Sequence, residues 1–180
     1  MGFIPENSKF YCYTYLTPHL FERAGANLGN PDPKYFAKAF SFCDKILGQE
    51  NLSVAISCYA GFGKEFVVLA NDRNVENIQS MSNDKLKKVY NWCLLSPNKI
   101  GVEPCINSAL QSLFWGGEND RHIAINFCSV ITDEKYRSDC YTSLTGAVGH
   151  YINDQNYKKD YCQELPKSFQ ENCKQHLLST

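Results

Sequence analysis

The stretch FCSVITDEKYRSDC, residues 127–140, places an aromatic residue directly before one cysteine and a second cysteine twelve positions further on. The chain of 180 residues contains this pattern four times, with the two cysteines 11 to 15 positions apart. The copies are Phe42-Cys43 with Cys58, Trp92-Cys93 with Cys105, Phe127-Cys128 with Cys140, and Tyr161-Cys162 with Cys173. Because a repeated close pairing favours sequential disulfides over other connectivities, we expect one disulfide within each pair.

The first cysteine of each pair lies near the end of a segment with helical periodicity. Apolar residues recur at spacings of three and four over residues 35–46, 86–94, 122–131 and 157–165. This spacing is typical of an amphipathic helix. Helix-stopping residues follow at Gly48, Pro97, Thr132-Asp133 and Pro166. We name these four predicted helices the A helices.

The second cysteine of each pair is predicted to open another helix, the B helix of the unit. Pro104 stands directly before Cys105, and proline is favoured in the first turn of a helix. Ser53 and Ser138 are the predicted N-caps of two other B helices. Each unit is therefore expected to be a helical hairpin that a disulfide closes at its loop end.

The spacing of the units predicts the architecture. The first cysteines are 50, 35 and 34 residues apart, and a period of about 34 residues is typical of two-helix repeats. The longer first interval predicts an insertion within residues 70–83, either as a longer loop or as an extension of the B helix. The predicted fold is all-α, a right-handed, solenoid-like stack of about four αα-hairpins plus a truncated N-terminal helix. It forms a single domain, 1–180, with units at 1–30 (partial), 31–70, 84–117, 118–152 and 153–180.

The ninth cysteine, Cys12, resembles a second cysteine that has no first. Residues 12–17 match residues 140–145, which open a B helix. We therefore expect Cys12 to be free, in a B helix whose A helix is missing. The chain is then either an excerpt of a longer repeat array or a protein with an atypical terminal repeat. The flanking Tyr11 and Tyr13 predict burial and low thiol reactivity.

Composition and charge limit the compartment and the partners. Disulfides persist in oxidising compartments, so we expect an extracytoplasmic protein, either secreted or periplasmic. A formal net charge of -1 lacks the basic footprint of nucleic-acid binding. The longest apolar run, residues 54–63, is shorter than a membrane span, so no transmembrane segment is predicted.

Disulfide-stapled hairpins with a period of about 35 residues resemble the cysteine-rich Sel1-like and tetratricopeptide-type solenoids. The resemblance covers residues 33–179 and rests on the aromatic-Cys pattern and its period. It implies a binding scaffold with a concave face. No catalytic residue is carried over from it.

Candidate site residues are few. No pattern of a nucleophile or of a structural zinc site is present, so no catalytic residue, metal site or cofactor is predicted. The best enzymatic alternative combines Glu118, Asp120 and His122 with His150, although acidic residues before a helix are more often caps. His122 and His150 are retained as candidate binding residues. Trp115, which ends a B helix before two glycines, is the third, because an exposed aromatic residue is a typical binding anchor.

Four glycines recur inside the predicted B helices, where each costs about 1 kcal/mol relative to alanine. They are Gly61, Gly63, Gly146 and Gly149. We expect them to let a neighbouring helix approach closely. A phosphate-binding loop is not favoured, because no strand is predicted before them.

The expected function is non-enzymatic. A stack of hairpins presents an extended surface, so we expect a module that recognises a protein or peptide partner or forms part of a larger assembly. The alternatives are an enzyme domain, for example a metal-assisted hydrolase, whose site is assembled from separate helices, and a small-molecule carrier. The carrier is suggested by the aromatic content, eleven Tyr and eleven Phe.

Overall fold

The computed structural model describes residues 6–27, 30–48, 52–117 and 119–178. Within them the fold is all-α, with no strand, as the periodicity predicts. The ten α-helices are α1 (Glu6–Thr14), α2 (Thr17–Ala24), α3 (Phe36–Leu47), α4 (Leu52–Ala70), α5 (Asn83–Cys93), α6 (Val102–Gly116), α7 (Arg121–Val130), α8 (Glu134–Tyr151), α9 (Gln155–Glu164) and α10 (Lys167–Leu178). The A helices are α3, α5, α7 and α9, and the B helices are α1, α4, α6, α8 and α10.

The predicted N-caps of the B helices are wrong. Ser53 lies inside α4, where its carbonyl accepts a hydrogen bond from the Ser57 hydroxyl, and Ser138 lies inside α8. Asp133, predicted as part of a stop signal, caps α8 by accepting a hydrogen bond from the Tyr136 N–H. The Asp133 carboxylate, directly before the first turn, satisfies a free backbone N–H, so α8 starts earlier than it would with Ser138 as its N-cap.

The N-terminal unit holds two helices rather than the single truncated helix expected. After α1 the chain turns within two residues, and Pro18 stands in the first turn of α2. Gly25 ends α2 with a left-handed backbone, φ 97°, a conformation that glycine adopts without steric cost. The helix α2 packs against α3 and α4, so it covers part of the core beside the first complete hairpin.

The insertion predicted within residues 70–83 is a loop and not an extension of the B helix. The helix α4 ends at Ala70, and the loop contains a short 3-10 turn at Ile78–Ser80 before Ser82 caps α5. Lys85 of α5 holds the start of the loop, since its ammonium donates to the side chains of Asn71 and Asp72.

The helices pack as hairpins whose B helices are neighbours in chain order. Each A helix contacts the B helix that follows it, and α1, α4, α6, α8 and α10 contact one another in that sequence. An aromatic cluster fills the core between the first units; its fully buried members are Phe21, Phe36, Phe40, Phe62 and Phe66. Phe40 and Phe62 stack with their ring centroids 4.0 Å apart. This cluster joins α2, α3 and α4 into one core.

The expected role of the glycines is confirmed at two of the four positions. A Cβ atom on Gly61 would collide with the Thr14 carbonyl of α1, and one on Gly63 would collide with the Cys105 carbonyl of α6. Glycine at these two positions therefore allows α4 to lie close to both of its neighbouring B helices. The prediction is wrong at Gly146, where nothing lies within 4 Å, while a Cβ on Gly149 would meet only the side chain of Leu177.

The helix α4 is the one helix in the described ranges that is long and apolar enough to cross a membrane, with a hydropathy of 1.4 over its best window. It is longer than the run at residues 54–63 on which the sequence analysis relied. Of that window, 56% is buried inside the fold. Core helices of soluble proteins meet the same criteria, so this is weak support for a span, and the absence of a transmembrane segment stays a prediction.

Candidate functional site

Four disulfides close the hairpins at the ends where the A and B helices meet. They join the cysteines that the spacing pairs: Cys43–Cys58, Cys93–Cys105, Cys128–Cys140 and Cys162–Cys173. All eight cysteines are buried. The bridges are therefore structural elements of the core, out of contact with solvent.

Cys12 lies on α1 as a free, partly buried thiol. We expect alkylation under denaturing, non-reducing conditions to label this cysteine alone, because the other eight are bridged. Peptide mapping by mass spectrometry identifies the labelled position. A label on a different cysteine, together with a bridged Cys12, would contradict both the pairing and the assignment of α1 as a B helix.

His122 belongs to a charged cluster that connects α7 with α9. Its Nδ1 lies 3.1 Å from a carboxylate oxygen of Glu164, and the Arg121 guanidinium donates to the other oxygen over 2.8 Å. The hydrogen bond from Arg121 lowers the pKa of the Glu164 carboxyl below its usual range. Asp120 accepts a hydrogen bond from the His122 backbone N–H and so acts as the N-cap of α7. These contacts give both residues structural roles: His122 pairs α7 with α9, and Asp120 caps α7.

The proposed metal constellation is not assembled in the described part of the chain. Glu118 lies outside the described residues. Among those described, no group of three or more His, Cys, Asp or Glu side chains could hold a metal ion. His150 instead lies with His176 and Lys158 at a polar pocket of about 480 Å³ between α8, α9 and α10. The structure thus places His122 and His150 in different local environments.

Trp115 is 42% exposed at the end of α6, as its position before two glycines predicts. Its ring packs edge-on against Tyr151 at the end of α8, with the centroids 4.3 Å apart. The His150 ring contacts the same tyrosine at 4.5 Å. The structure therefore brings two of the three candidate binding residues together through Tyr151, which the sequence analysis did not single out.

A groove of about 930 Å³ runs between α1, α4, α6 and α8, and we name it the B-helix groove. Its lining residues are Phe10, Tyr11, Thr14, Tyr15, Leu52, Ile56, Ser57, Ala60, Lys99, Ile100, Glu103, Pro104, Asn107, Ser108, Gln111, Lys135 and Tyr136. Phe10 and Tyr11 of α1 and Tyr15, directly after α1, are exposed on one wall, and Tyr136 of α8 lines the other side. The floor between them comes from α4 and α6.

Equivalent positions around three of the B-helix cysteines contribute most of the groove. Counted from the cysteine, these lining residues lie two and one before it and two and three after it. Around Cys12 they are Phe10, Tyr11, Thr14 and Tyr15; in α4 they are Ile56, Ser57 and Ala60; in α6 they are Glu103, Pro104, Asn107 and Ser108. Positions with this spacing share one face of a helix. The same face of α4 and α6, and the corresponding residues around Cys12, therefore line the groove. The helix α8 differs, because its lining residues Lys135 and Tyr136 lie five and four positions before Cys140.

The same face of α6 continues beyond the groove to Trp115. Ser108 and Trp115 are seven residues apart, which is close to two helical turns. From Glu103 to Trp115, α6 rises by roughly 18 Å at 1.5 Å per residue. The aromatic pair of Trp115 and Tyr151 thus extends the surface of the B-helix groove toward the carboxyl ends of α6 and α8.

The sequence analysis missed every residue that lines the groove. For the segments around Cys12, Cys58 and Cys105, the signal is the set of side chains beside the cysteine, read at the same offsets in consecutive units. Around Cys12 three of these four side chains are aromatic, although an exposed face of a soluble helix is usually polar. The mismatch becomes visible once the Cys12 segment is aligned with the complete units.

No family model, no curated protein and no solved structure matches this chain.

Proposed function

We propose that the protein is an extracytoplasmic helical-repeat module that binds a segment of a protein or peptide partner in the B-helix groove. One observation carries the proposal: five of the ten exposed large apolar side chains in the described ranges line this groove. They are Phe10, Tyr11, Tyr15, Leu52 and Ile100. Contiguous exposed apolar surface on a soluble protein marks an interaction site.

The packing of the hairpins supports a solenoid-like stack. The B helices contact one another in chain order, and the segments around Cys12, Cys58 and Cys105 line the groove from equivalent positions. Stacked hairpins of this kind form an extended surface, and partners of repeat proteins bind on it. The stack and its handedness are part of the proposal, together with the division into repeats at 31–70, 84–117, 118–152 and 153–180.

The disulfides support an oxidising environment. Four buried bridges in a chain of 180 residues are typical of secreted or periplasmic proteins. A partner is therefore expected in the same compartment. The proposal includes no catalysis and no cofactor.

A peptide-like segment suits the groove better than a small molecule. A carrier would enclose its ligand in an apolar cavity, whereas the B-helix groove has exposed side chains along its walls. Its volume of about 930 Å³ also lies near the upper end of the range of small-molecule sites.

Filling the groove is expected to weaken peptide binding. Peptides are first selected on the native protein from a displayed library of random 16-residue sequences. We expect Ala60→Trp to weaken the binding of these peptides by at least about tenfold (1.4 kcal/mol). Ala60 is a partly buried floor residue, so the indole would occupy the space of a bound side chain. Fluorescence anisotropy with labelled peptides measures the affinity.

The matched control is Lys87→Trp, which adds the same side chain to the exposed surface of α5, away from the groove. This variant should bind the selected peptides as the native protein does. Selected peptides that bind Ala60→Trp unchanged, or a library from which no peptide is enriched, would contradict the proposed function. Thermal unfolding of both variants separates lost binding from lost folding.

A further inference from the structure

The backbone of the B-helix groove offers no edge for an extended strand. Its lining residues belong to α1, α4, α6 and α8, to the 3-10 turn Lys99–Gly101, or, in the case of Tyr15, to the turn after α1. Inside a helix the N–H and C=O groups are already bonded to one another. A bound extended segment would therefore leave its own backbone polar groups unpaired against an apolar wall, whereas a bound helix satisfies them internally.

The floor of the groove suits the apolar face of a helix. Ser57, Ala60 and Ser108 are small and lie between larger side chains on the walls, which leaves room for a helix of the partner to approach. Two polar atoms of the floor also have hydrogen-bond partners within the protein. The Ser57 hydroxyl donates to the Ser53 carbonyl over 2.8 Å, and Asn107 accepts from the Ser143 hydroxyl over 3.3 Å. Apolar side chains of a partner can cover them without breaking a hydrogen bond.

The net charge at the groove is positive, because the three lysines Lys64, Lys99 and Lys135 stand against two carboxylates. Glu103 and Lys135 form an ion pair over 3.4 Å, and Lys135 also contacts Asp139 over 2.6 Å. Lys99 lines the groove without an ion-pair partner among the described residues, and Lys64 lies over the Tyr15 ring at 4.1 Å, also without an acidic partner there.

The first turns of three helices also face the groove. Leu52, Glu103 and Lys135, which lie in the first turns of α4, α6 and α8, all line it. The amino end of a helix carries a partial positive charge, but Glu103 offsets it at α6, and Asp133 and Glu134 offset it at α8. The preference for acidic groups on the bound segment therefore rests on Lys64 and Lys99.

We infer that the segment bound in the B-helix groove is an acidic amphipathic α-helix of a protein partner. This inference rests on the proposed function and adds the conformation and the charge of the partner. Apolar residues at every third and fourth position face Phe10, Tyr15 and the floor. Acidic residues beside them reach Lys64 and Lys99. The length of the α6 face, roughly 18 Å, corresponds to about 12 residues of helix.

The experiment uses the peptides selected from the displayed 16-residue library on the native protein. An alanine scan of each peptide is expected to give losses of tenfold or more at positions i, i+3 or i+4, and i+7. A proline in the middle of the peptide should cause a similar loss. The enriched sequences should carry more Asp and Glu than the starting library. Selection on the double variant Lys64→Glu/Lys99→Glu should enrich Lys and Arg instead, while Lys87→Glu/Lys159→Glu, two exposed lysines elsewhere, should leave the acidic preference unchanged.

The outcomes separate the two proposals. Losses at alternate positions i, i+2 and i+4, or tolerance of the central proline, would overturn the helical partner while groove binding itself stands. An unchanged charge preference in the Lys64→Glu/Lys99→Glu selection would overturn the acidic character. Peptides that bind the Ala60→Trp variant as tightly as the native protein, or a library from which no peptide is enriched, would overturn the groove as a binding site and with it the inference.

Discussion

Reduction of the four disulfides is expected to unfold the protein at room temperature. Each bridge joins cysteines that are 11 to 15 positions apart, and closing a loop of that size stabilises a fold by about 3 kcal/mol in the chain-entropy model. Four bridges together contribute on the order of 10 kcal/mol, which is comparable to the whole net stability of a typical domain. The short α9 and α10 hairpin should depend on its bridge in particular.

The measurement is circular dichroism of the protein after reduction in denaturant, blocking of the thiols and return to native buffer. We expect loss of the near-ultraviolet signal and of a cooperative thermal transition. Denaturation and return without reductant is the control and should recover both signals. A reduced, blocked chain that melts cooperatively near the temperature of the oxidised protein would show that helix packing alone sustains the fold.

The positions of the helices could be predicted from the sequence because two independent patterns coincide. Apolar spacing marks the A helices at 35–46 and 122–131, and the structure has α3 at Phe36–Leu47 and α7 at Arg121–Val130. The repeated cysteine interval then marks where each hairpin turns. Both patterns are local, so a single sequence contains them.

The helix boundaries and the groove depend on information that a local pattern does not contain. Ser53 and Asp133 are both good capping residues, and only the path of the chain decides that Asp133 caps a helix and Ser53 does not. The groove forms where α1, α4, α6 and α8 come together. Its side chains are adjacent in space but up to 126 residues apart in the chain, from Phe10 to Tyr136, so no periodicity within one helix identifies them.

Small residues illustrate the same limit. Gly63 and Gly146 occupy similar places in their B helices, after a cysteine and within a helix interior. In the structure one is in contact with a neighbouring backbone and the other is open to solvent. The sequence pattern treats them alike, because the difference lies in how closely the next B helix approaches.

Substituting these two glycines by alanine is therefore expected to change stability in opposite directions. A Cβ on Gly63 would collide with the Cys105 carbonyl and lie 2.7 Å from the Ala109 backbone nitrogen. Backbone atoms cannot rotate away as a side chain can, so Gly63→Ala forces α4 and α6 apart and should lower the free energy of unfolding by about 2 to 3 kcal/mol. Gly146→Ala meets nothing within 4 Å and should raise it by up to about 1 kcal/mol, since alanine is the better helix former.

Urea denaturation of the oxidised proteins measures both changes, and peptide binding adds a second measurement. The floor of the B-helix groove is shared by α4 and α6, with Ala60 on one helix and Ser108 on the other. Because Gly63→Ala separates these helices, it should also weaken the selected peptides, whereas Gly146→Ala should leave their affinity unchanged. Equal effects of the two substitutions on stability would show that the close contact between α4 and α6 is not what glycine at position 63 provides. Lost stability with unchanged peptide affinity would show that the groove does not depend on the spacing of its floor helices.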